Sequence, residues 1–440
     1  MKKNLLKKVL PIALLAATAS TGAQAANWLM LQGTEPVNQA PRAKVWGFVQ
    51  LQYQQTNDTK KPSSLPSAAG PNQPAAFNRI APQLTSASSF NVKRARIGVR
   101  GNNFPLDPNI NYFILAEFGN NGITTGKNAS QGQLTDASIT LNQIPGARIR
   151  AGLFKTPGSE KAMQAIGVYN YINFSSVVDR LLLERTFDAS TGNSGRNGPV
   201  GAFRDTGVQV FDSFNIKGWD TSYAVMIGNG NGLARVDNNK GKDTYLYLST
   251  EKVFGASKGP RRHGMKFYVW THNGKRTLSD VGDKNLTRSG LGTTYFDGTY
   301  RMAAEYITAD GMIYGGTTAG GLPASAGGSS TFTVQPDQAA NGYYVDLGYR
   351  IHPKLELDLR YDYLDSGTKT NAKTGTNKDE ERQFANTTLG AQYFLNKKTT
   401  LIANYEIRNI KAPGAPSSAP VHKILSALDN RIGLELRVVF

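Results

Sequence analysis

The sequence has no cysteine, and after its first 25 residues it has no long apolar run. Without cysteine, an exported chain must be held together without disulfide bonds, by backbone pairing. A membrane-spanning helix needs about 20 consecutive apolar residues, so helical membrane spanning is excluded. Histidine is scarce as well, and His263, His272, His352 and His422 lack metal-ligand spacing. No Ser-His-acid constellation can be argued, so we expect no metal, no cofactor and no enzymatic activity.

The first 25 residues have the three parts of a secretory signal peptide. Four lysines within the first eight residues precede an apolar run over residues 9–17, and Ala23-Gln24-Ala25 follows. Cleavage is expected after Ala25 or Ala26. The apolar run is too short to cross a bilayer as a helix. We therefore expect an exported protein whose residues 1–25 are removed.

Acidic residues are in the minority. Lysine and arginine number 50 against 32 aspartates and glutamates, which gives a formal charge of +18; without the four lysines of the signal peptide it is +14. This excess can attract anions of any kind. For an exported protein, lipopolysaccharide phosphates and dissolved oxyanions are better candidate partners than nucleic acid. The alternative interpretation is a generally solvated basic surface.

Segments of about ten residues with a two-residue periodicity recur along the chain, which is typical of transmembrane β-strands. After a short periplasmic lead-in over residues 26–43, the barrel is expected to occupy residues 44–440. About sixteen strands are predicted, an even number as bacterial barrels require. Their ranges are 44–54, 90–101, 109–118, 133–142, 147–156, 205–214, 219–228, 244–254, 264–273, 289–296, 299–309, 342–351, 354–364, 387–395, 399–411 and 430–440.

The connections between these strands alternate between long and short. Short links contain turn residues, as at 143–146, 215–218 and 297–298, whereas long ones such as 56–89 and 157–203 are rich in Gly, Pro, Ser and Asn. Outer-membrane barrels alternate long external loops with short periplasmic turns in this way. A soluble β-sandwich also gives two-residue periodicity, but it does not explain the alternation of connections. The sequence therefore predicts an all-β, antiparallel transmembrane barrel.

Basic residues of several strands share the face opposite the apolar residues. A cation that meets lipid near the midplane costs about 2–4 kcal/mol, so this face must meet water. A basic pore with low-dielectric walls favours anions. The predicted anion-guiding, pore-lining arginines are Arg94, Arg96, Arg100, Arg148, Arg150, Arg360, Arg408, Arg431 and Arg437. The alternative is that they pair across the wall with Asp136, Glu117, Asp362, Glu406 and Glu435.

The connection over residues 157–203 carries apolar pieces, at 163–166 and 177–183, that a solvated loop does not need. We expect this third external loop to fold into the barrel and narrow the pore. Lys155, Lys161, Arg180 or Arg185 then lies where an ion must pass, and Lys161 is the best single candidate. The alternative is an external cap that contacts neighbouring loops. The glycine-rich run 228–232 is a predicted turn, since no helix follows it to bind a phosphate.

Several motifs resemble the phosphate-selective porin (porin O/P) family, in order and spacing, over essentially the whole mature chain. They are Val45-Trp-Gly-Phe-Val-Gln-Leu-Gln-Tyr53, Phe90-Asn-Val-Lys-Arg-Ala-Arg96, Gly152-Leu-Phe-Lys-Thr-Pro157, Leu389-Gly-Ala-Gln-Tyr393 and the ending Arg437-Val-Val-Phe440. The resemblance implies a homotrimer of sixteen-stranded barrels in the outer membrane of a Gram-negative-type cell. It also implies an inward third loop and basic residues that guide oxyanions.

Two of the family's basic positions have counterparts in this chain. The pair Lys93-Arg94 matches the basic pair at the start of the second strand, and Lys161 matches the lysine of the inward loop. Strand alternation, however, places Lys93 on the outer face. The chain departs from the family at Phe48, where phosphate-selective members have a luminal arginine.

The expected function is passive diffusion of small hydrophilic solutes with a preference for anions, among which phosphate and other oxyanions are the leading candidates. Two alternatives stay open. One is a non-selective or small-neutral-solute porin of the same fold. The other, from a different class, is a structural or adhesive barrel that its own loops plug.

Overall fold

A computed structural model describes most of the predicted barrel. The described residues are 27–31, 34, 41–56, 88–103, 106–121, 132–183, 202–233, 237, 239–257, 261–278, 282–316, 332–369, 381–418, 422, 425 and 429–440. The predicted signal peptide, parts of the predicted lead-in and Arg185 lie outside these residues, so those predictions remain predictions. Within the described ranges, no helix has the length and apolar character needed to cross a membrane.

Sixteen strands form one closed antiparallel barrel, which confirms the predicted fold class. The strand bounds are β1 Lys44–Thr56, β2 Ser88–Asn102, β3 Ile110–Glu117, β4 Gln133–Leu141, β5 Arg148–Lys155, β6 Arg204–Ile216, β7 Trp219–Gly228, β8 Asp243–Val253, β9 Gly264–Leu278, β10 Gly282–Phe296, β11 Tyr300–Asp310, β14 Ala339–His352, β15 Leu355–Ser366, β16 Arg382–Phe394, β17 Thr399–Lys411 and β18 Arg431–Val439. Each strand pairs with its neighbours in the barrel order, and β1 pairs with β18 to close the barrel, with Phe48 opposite Val439.

Two further short strands form a separate hairpin that the sequence did not predict. They are β12 (Ile313–Gly316) and β13 (Phe332–Gln335), which pair with each other in the connection between β11 and β14. This connection belongs to the long-loop end of the barrel. The opposite, short-turn end carries the tight links, such as Asp297-Gly298 between β10 and β11.

The tight turn after β10 shows how the short links form. Gly298 has a φ of 100°, a backbone conformation that side chains disfavour. The Asp297 carboxylate accepts hydrogen bonds from the backbone N–H groups of Tyr300 (2.7 Å) and Thr299 (2.8 Å). These hydrogen bonds lower the pKa of Asp297 below its ordinary value. Sequence and local hydrogen bonding therefore define the same turn.

Side chains alternate between the two faces of the barrel wall as the sequence predicts. On β15, Glu356, Asp358 and Arg360 are buried in the interior, whereas Leu357 and Leu359 are 45% and 41% exposed on the outside. Apolar side chains are exposed in the same way on strands around the whole barrel. Such an outer surface suits lipid, while the charged inner face requires water or polar partners. The barrel is therefore a membrane-spanning one.

One prediction of side-chain direction is wrong. Lys93 does not point outward but is buried inside, next to Arg94. The register of β1 against β2 shifts at this point, since Gln50 pairs with Arg94 and Leu51 pairs with Val92. Lys93 is the extra residue of a β-bulge, where two residues of one strand oppose one of its partner. The bulge lets two consecutive basic residues enter the lumen.

Short helices fill part of the interior. They are α1 (Trp28–Leu31), α2 (Glu160–Met163) and α3 (Ser176–Leu181), with a 3-10 turn at Ile166–Val168. The apolar side chains of α1 belong to one buried cluster with Ala162 and Met163 of α2 and with Phe211 of the barrel wall. The main apolar core of the described residues thus lies inside the barrel.

Candidate pore and its inward loop

Residues 156–183 follow β5 and are here called loop L3. The first turn of the loop folds back on the end of β5, where Lys155 Nζ donates hydrogen bonds to the carbonyls of Met163 (3.3 Å) and Gln164 (2.7 Å). From there L3 contacts lumen-facing side chains of β1, β9, β10, β11 and β14 to β18. These contacts place the loop inside the barrel, where the cross-section of the lumen depends on it.

The near half of L3, residues 159–163, is anchored by three consecutive side chains. Ser159 Oγ donates to Glu305 Oε2 of β11 (2.7 Å), and Lys161 Nζ lies 2.6 Å from Asp346 Oδ2 of β14. Glu160 forms a buried ion pair with Lys266 of β9. Each anchor reaches a different strand, so helix α2 is fixed in position and in rotation. All three anchors depend on the loop's own side chains.

Glu305 is the most heavily hydrogen-bonded of these anchors. Besides Ser159, its carboxylate accepts hydrogen bonds from Trp270 Nε1 (2.8 Å) and Tyr344 Oη (2.8 Å). All three donors are neutral groups, so this buried carboxylate is held by hydrogen bonds and not by a direct cation contact. Lys161 lies over the Tyr344 ring, with Nζ 5.5 Å from its centroid, which connects two of the anchors.

The far half of L3, residues 167–176, is held in another way. Arg437 of β18 donates to the carbonyls of Gly167 (3.2 Å) and Tyr169 (2.7 Å), and Arg360 of β15 donates to the carbonyl of Asn173 (2.8 Å). On β15, Asp362 accepts a hydrogen bond from the backbone N–H of Ser176 (2.6 Å). Here the wall supplies the side chains and the loop supplies mainly its backbone.

Tyr169 ties the two halves together. Its hydroxyl donates to the carbonyl of Lys161, and Lys161 Nζ lies 5.5 Å from the centroid of its ring. Burial raises the pKa of Tyr169 well above its ordinary value, so the phenol stays neutral and keeps its proton for this hydrogen bond. The loop returns toward the long-loop end through α3, where Arg288 of β10 donates to the carbonyl of Leu181 (3.0 Å).

Five of the predicted pore-lining arginines form ion pairs in the wall. The pairs are Arg96–Glu117 (2.6 Å), Arg148–Asp212 (3.5 Å), Arg360–Asp362 (3.8 Å), Arg437–Glu435 (2.7 Å) and Arg431–Glu406 (2.9 Å). Four of the five acidic partners proposed as the alternative are therefore used. The fifth, Asp136, pairs instead with Arg204 (2.9 Å).

Other predicted pore-lining cations bind neutral groups. Arg94 donates to Gln50 Oε1 (2.9 Å), and Lys155 donates to the two loop carbonyls described above. Apart from Lys161, which pairs with Asp346 as described above, the remaining three donate to backbone carbonyls: Arg100 to Leu31 (2.9 Å), Arg150 to Leu29 (3.3 Å) and Arg408 to Asp429 (2.8 Å). The positively charged wall thus holds internal segments of the chain as well as facing the lumen.

Sequence reasoning missed a second group of cations, at the short-turn end. Arg261, Arg262, Lys266 and Arg301 line a space below α2 together with Lys161. The carboxylates of Glu160, Glu251 and Glu356 share this space with them. The dibasic pair at 261–262 was visible in the sequence, but nothing in the linear order showed that its turn lies beneath loop L3. No group of acidic and histidine side chains suited to a metal ion occurs among the described residues.

Comparison with solved structures shows the porin fold. The anion-selective porin from Comamonas acidovorans is 14% identical, with a TM-score of 0.54, and the alignment covers 90% of this chain and 99% of that one. The outer membrane channel DcaP of Acinetobacter baumannii is 17% identical, with a TM-score of 0.52 and coverages of 93% and 100%. Salmonella typhi OmpF in complex with daunomycin is 11% identical, with a TM-score of 0.52 and coverages of 90% and 97%.

At these identities the likeness concerns the fold alone. No protein-family model and no curated protein sequence matches the chain. The coarser part of the predicted resemblance, to porins in general, is supported by the shared architecture. The phosphate-selective subtype stays a prediction.

Proposed function

We propose that the chain is an outer-membrane porin of a Gram-negative-type cell. It lets small hydrophilic solutes diffuse passively, with a preference for anions, and phosphate or another oxyanion is the leading candidate. The observation that carries this proposal is the closed sixteen-stranded barrel with an apolar exterior, a charged interior and loop L3 across the lumen. Catalysis is not part of the proposal, because the fold is that of channels and the charged side chains serve as anchors or wall.

The proposed anion preference rests on cations of the inner wall that form no direct ion pair within the described residues. Lys93 and Arg94 are buried in the lumen side by side, and neither forms an ion pair within the described residues. Arg261 at the short-turn end donates a hydrogen bond to Gln392, at 3.3 Å, and lies over the ring of Phe394, in a space that it shares with the carboxylate of Glu356. In a low-dielectric wall such charges act at longer range than in water and raise the local concentration of anions.

The proposal has two finer points. From the sequence resemblance, the barrel assembles as a homotrimer; from the basic composition, its outer surface meets lipopolysaccharide as well as membrane lipid. The basic composition and the apolar outer wall support the second point, because lipopolysaccharide has both phosphates and acyl chains.

Planar-bilayer recording tests the proposal with a double variant, Lys93→Gln and Arg94→Gln. We expect the anion-to-cation permeability ratio, obtained from reversal potentials in a salt gradient, to fall about threefold or more because two cations without a direct ion pair leave the lumen. Added phosphate should reduce the chloride current of the unmodified protein. The matched control exchanges the two residues, Lys93→Arg with Arg94→Lys, and should keep the ratio.

The same recordings separate the alternatives. Equal permeability of anions and cations in the unmodified protein supports a non-selective pore of this fold and contradicts the anion preference. The absence of conductance steps from correctly folded protein supports the plugged barrel instead. An unchanged ratio in the double variant removes Lys93 and Arg94 from the selectivity determinants.

A further inference from the structure

Residues 27–31, from a segment predicted as a periplasmic lead-in, lie inside the barrel. The relative exposures of Trp28, Leu29 and Met30 are 6%, 3% and 2%. Asn27 donates a side-chain hydrogen bond to Ser222, which lies on β7 close to the short turn that follows β6. The segment therefore occupies the short-turn half of the lumen, below loop L3.

The barrel wall forms a specific seat for this segment. Arg150 is 1% exposed and lies between the rings of Phe154 and Phe211, with its guanidinium carbon 5.5 Å and 4.4 Å from their centroids. Held in this way, it donates to the carbonyl of Leu29. Arg100 donates to the carbonyl of Leu31, at the end of the same helical turn. Two wall arginines thus bind the last carbonyls of α1, which lack partners within so short a helix.

The segment is also connected to the loop that narrows the lumen. Trp28 Nε1 donates to Glu160 Oε1 at 2.8 Å, while the other carboxylate oxygen of Glu160 contacts Lys266. Trp28 and Glu160 line the same space at the short-turn end. One residue of the segment therefore shares an anchor of α2, so the position of the segment and that of L3 depend on each other.

The attachment of the segment differs from that of a strand. Within the described residues, the backbone N–H groups of Met30 and Leu31 bond to the segment's own Asn27 carbonyl. The links to the wall run through wall side chains, which bind the side chain of Asn27 and the carbonyls of Leu29 and Leu31. Departure of the segment breaks no hydrogen bond of the barrel ladder.

We propose that residues 27–31 are an internal plug, which narrows the short-turn half of the lumen and holds α2, and whose departure gives a wider conducting state. This inference rests on the proposed porin function for its electrical consequence. Its structural part does not, because occupancy of the seat is measurable without current.

The electrical test replaces Trp28 to Leu31 with Gly-Ser-Gly-Ser in the full chain. The single-channel conductance should rise about 1.5- to 2-fold, since the narrowest water-filled section widens, and open-channel noise should increase because α2 loses an anchor. Trp28→Phe, which keeps the ring and loses the hydrogen bond to Glu160, should raise the noise with little change in conductance. Equal conductance in all three proteins overturns the plug.

The chemical test uses the absence of native cysteine. With Ser222→Cys, the new thiol lies under the segment and should react slowly with a charged methanethiosulfonate reagent. In the Gly-Ser variant the reaction should be at least about tenfold faster, because the site no longer has to open first. Val45→Cys, on the outer wall, is the control and should react equally in both backgrounds. Heat-dependent gel migration checks that each barrel is folded.

The two tests separate the two proposals. Faster labelling of position 222 with no current from any variant keeps the plug and rejects the porin function. Normal current with equal labelling rates in both backgrounds keeps the porin function and rejects the plug.

Discussion

The two halves of loop L3 reach their positions by opposite means. In the near half, Ser159, Glu160 and Lys161 supply side chains that meet buried partners on three strands. In the far half, Arg437 and Arg360 reach from the wall to backbone carbonyls of the loop. The near half therefore depends on its own sequence, whereas the far half depends mainly on the sequence of the wall, with the side chain of Asn173 as an exception.

This difference determines where substitutions should matter. A carbonyl group is present whatever side chain a residue has, so wall arginines can hold a loop of varied sequence. An ion pair needs both members, and removing or reversing one leaves an uncompensated buried charge. The near half is consequently expected to be sensitive to loop substitutions and the far half to wall substitutions.

The largest effect is expected for Lys161→Glu. In the unmodified protein, the carboxylate of Asp346 is 0% exposed and lies 2.6 Å from the Lys161 nitrogen. In the variant, the new glutamate carboxylate faces it instead. Leaving two buried carboxylates together should lower the free energy of unfolding by about 3–5 kcal/mol and release α2. Urea unfolding and open-channel noise measure the two consequences.

Exchange of the two charges is the control for this variant. Lys161→Glu combined with Asp346→Lys should restore most of the lost stability and lower the open-channel noise, because the ion pair re-forms with its charges reversed. If Lys161→Glu is as stable as the parent and only the reversal potential changes, Lys161 faces the permeating ion and is not an anchor.

A smaller loss is expected for Arg437→Met. The change removes hydrogen bonds to the carbonyls of Gly167 and Tyr169 and takes the cation away from buried Glu435. We expect about 2–3 kcal/mol of destabilisation and a more mobile far half, seen as faster proteolysis within L3. Arg437→Lys should recover part of the stability, since it keeps the charge but not the forked geometry. Unchanged proteolysis contradicts the assignment of Arg437 as a backbone anchor.

The smallest effect is expected for Tyr171→Phe, a side-chain change within the far half. The phenol donates only a long hydrogen bond, 3.4 Å, to the carbonyl of Leu347. Its removal should change the free energy of unfolding by less than about 0.5 kcal/mol and leave conductance unaltered. A loss comparable to that of Arg437→Met shows that the far half depends on its own side chains beyond Asn173, and the contrast between the halves then fails.

The sequence predicted the wall of the barrel better than its contents. Two-residue periodicity identified the strands and the inner face, as for Glu356 and Arg360, because lipid on one side and water on the other impose that period. The periodicity gave the wrong side-chain direction for Lys93, because a β-bulge shifts the register by one residue there and no local residue type indicates the bulge. The β12–β13 hairpin was missed because a loop rich in glycine and serine carries no clear period.

The roles of the cations were harder still to predict. Two-residue periodicity predicts that Arg150 and Arg437 point inward. It does not distinguish whether the guanidinium then binds a permeating ion, a carboxylate or a carbonyl. Only the fold shows that Leu29 and Tyr169 bring carbonyls to them. Residues 27–31 gave no signal either, because a five-residue turn with apolar side chains has no periodicity to read.

The seam between β1 and β18 has a consequence for the order of assembly. Asn173 of L3 bonds to Gln54 of β1 and to Glu406 of β17, and Arg437 of β18 holds the loop nearby. These partners are separated by nearly the whole chain, and they meet only after the first and last strands have paired. Such contacts of high sequence separation form slowly, and until then two unpaired strand edges are open to aggregation. We therefore expect the far half of L3 to dock after β1 and β18 have paired, and its contacts then stabilise that pairing.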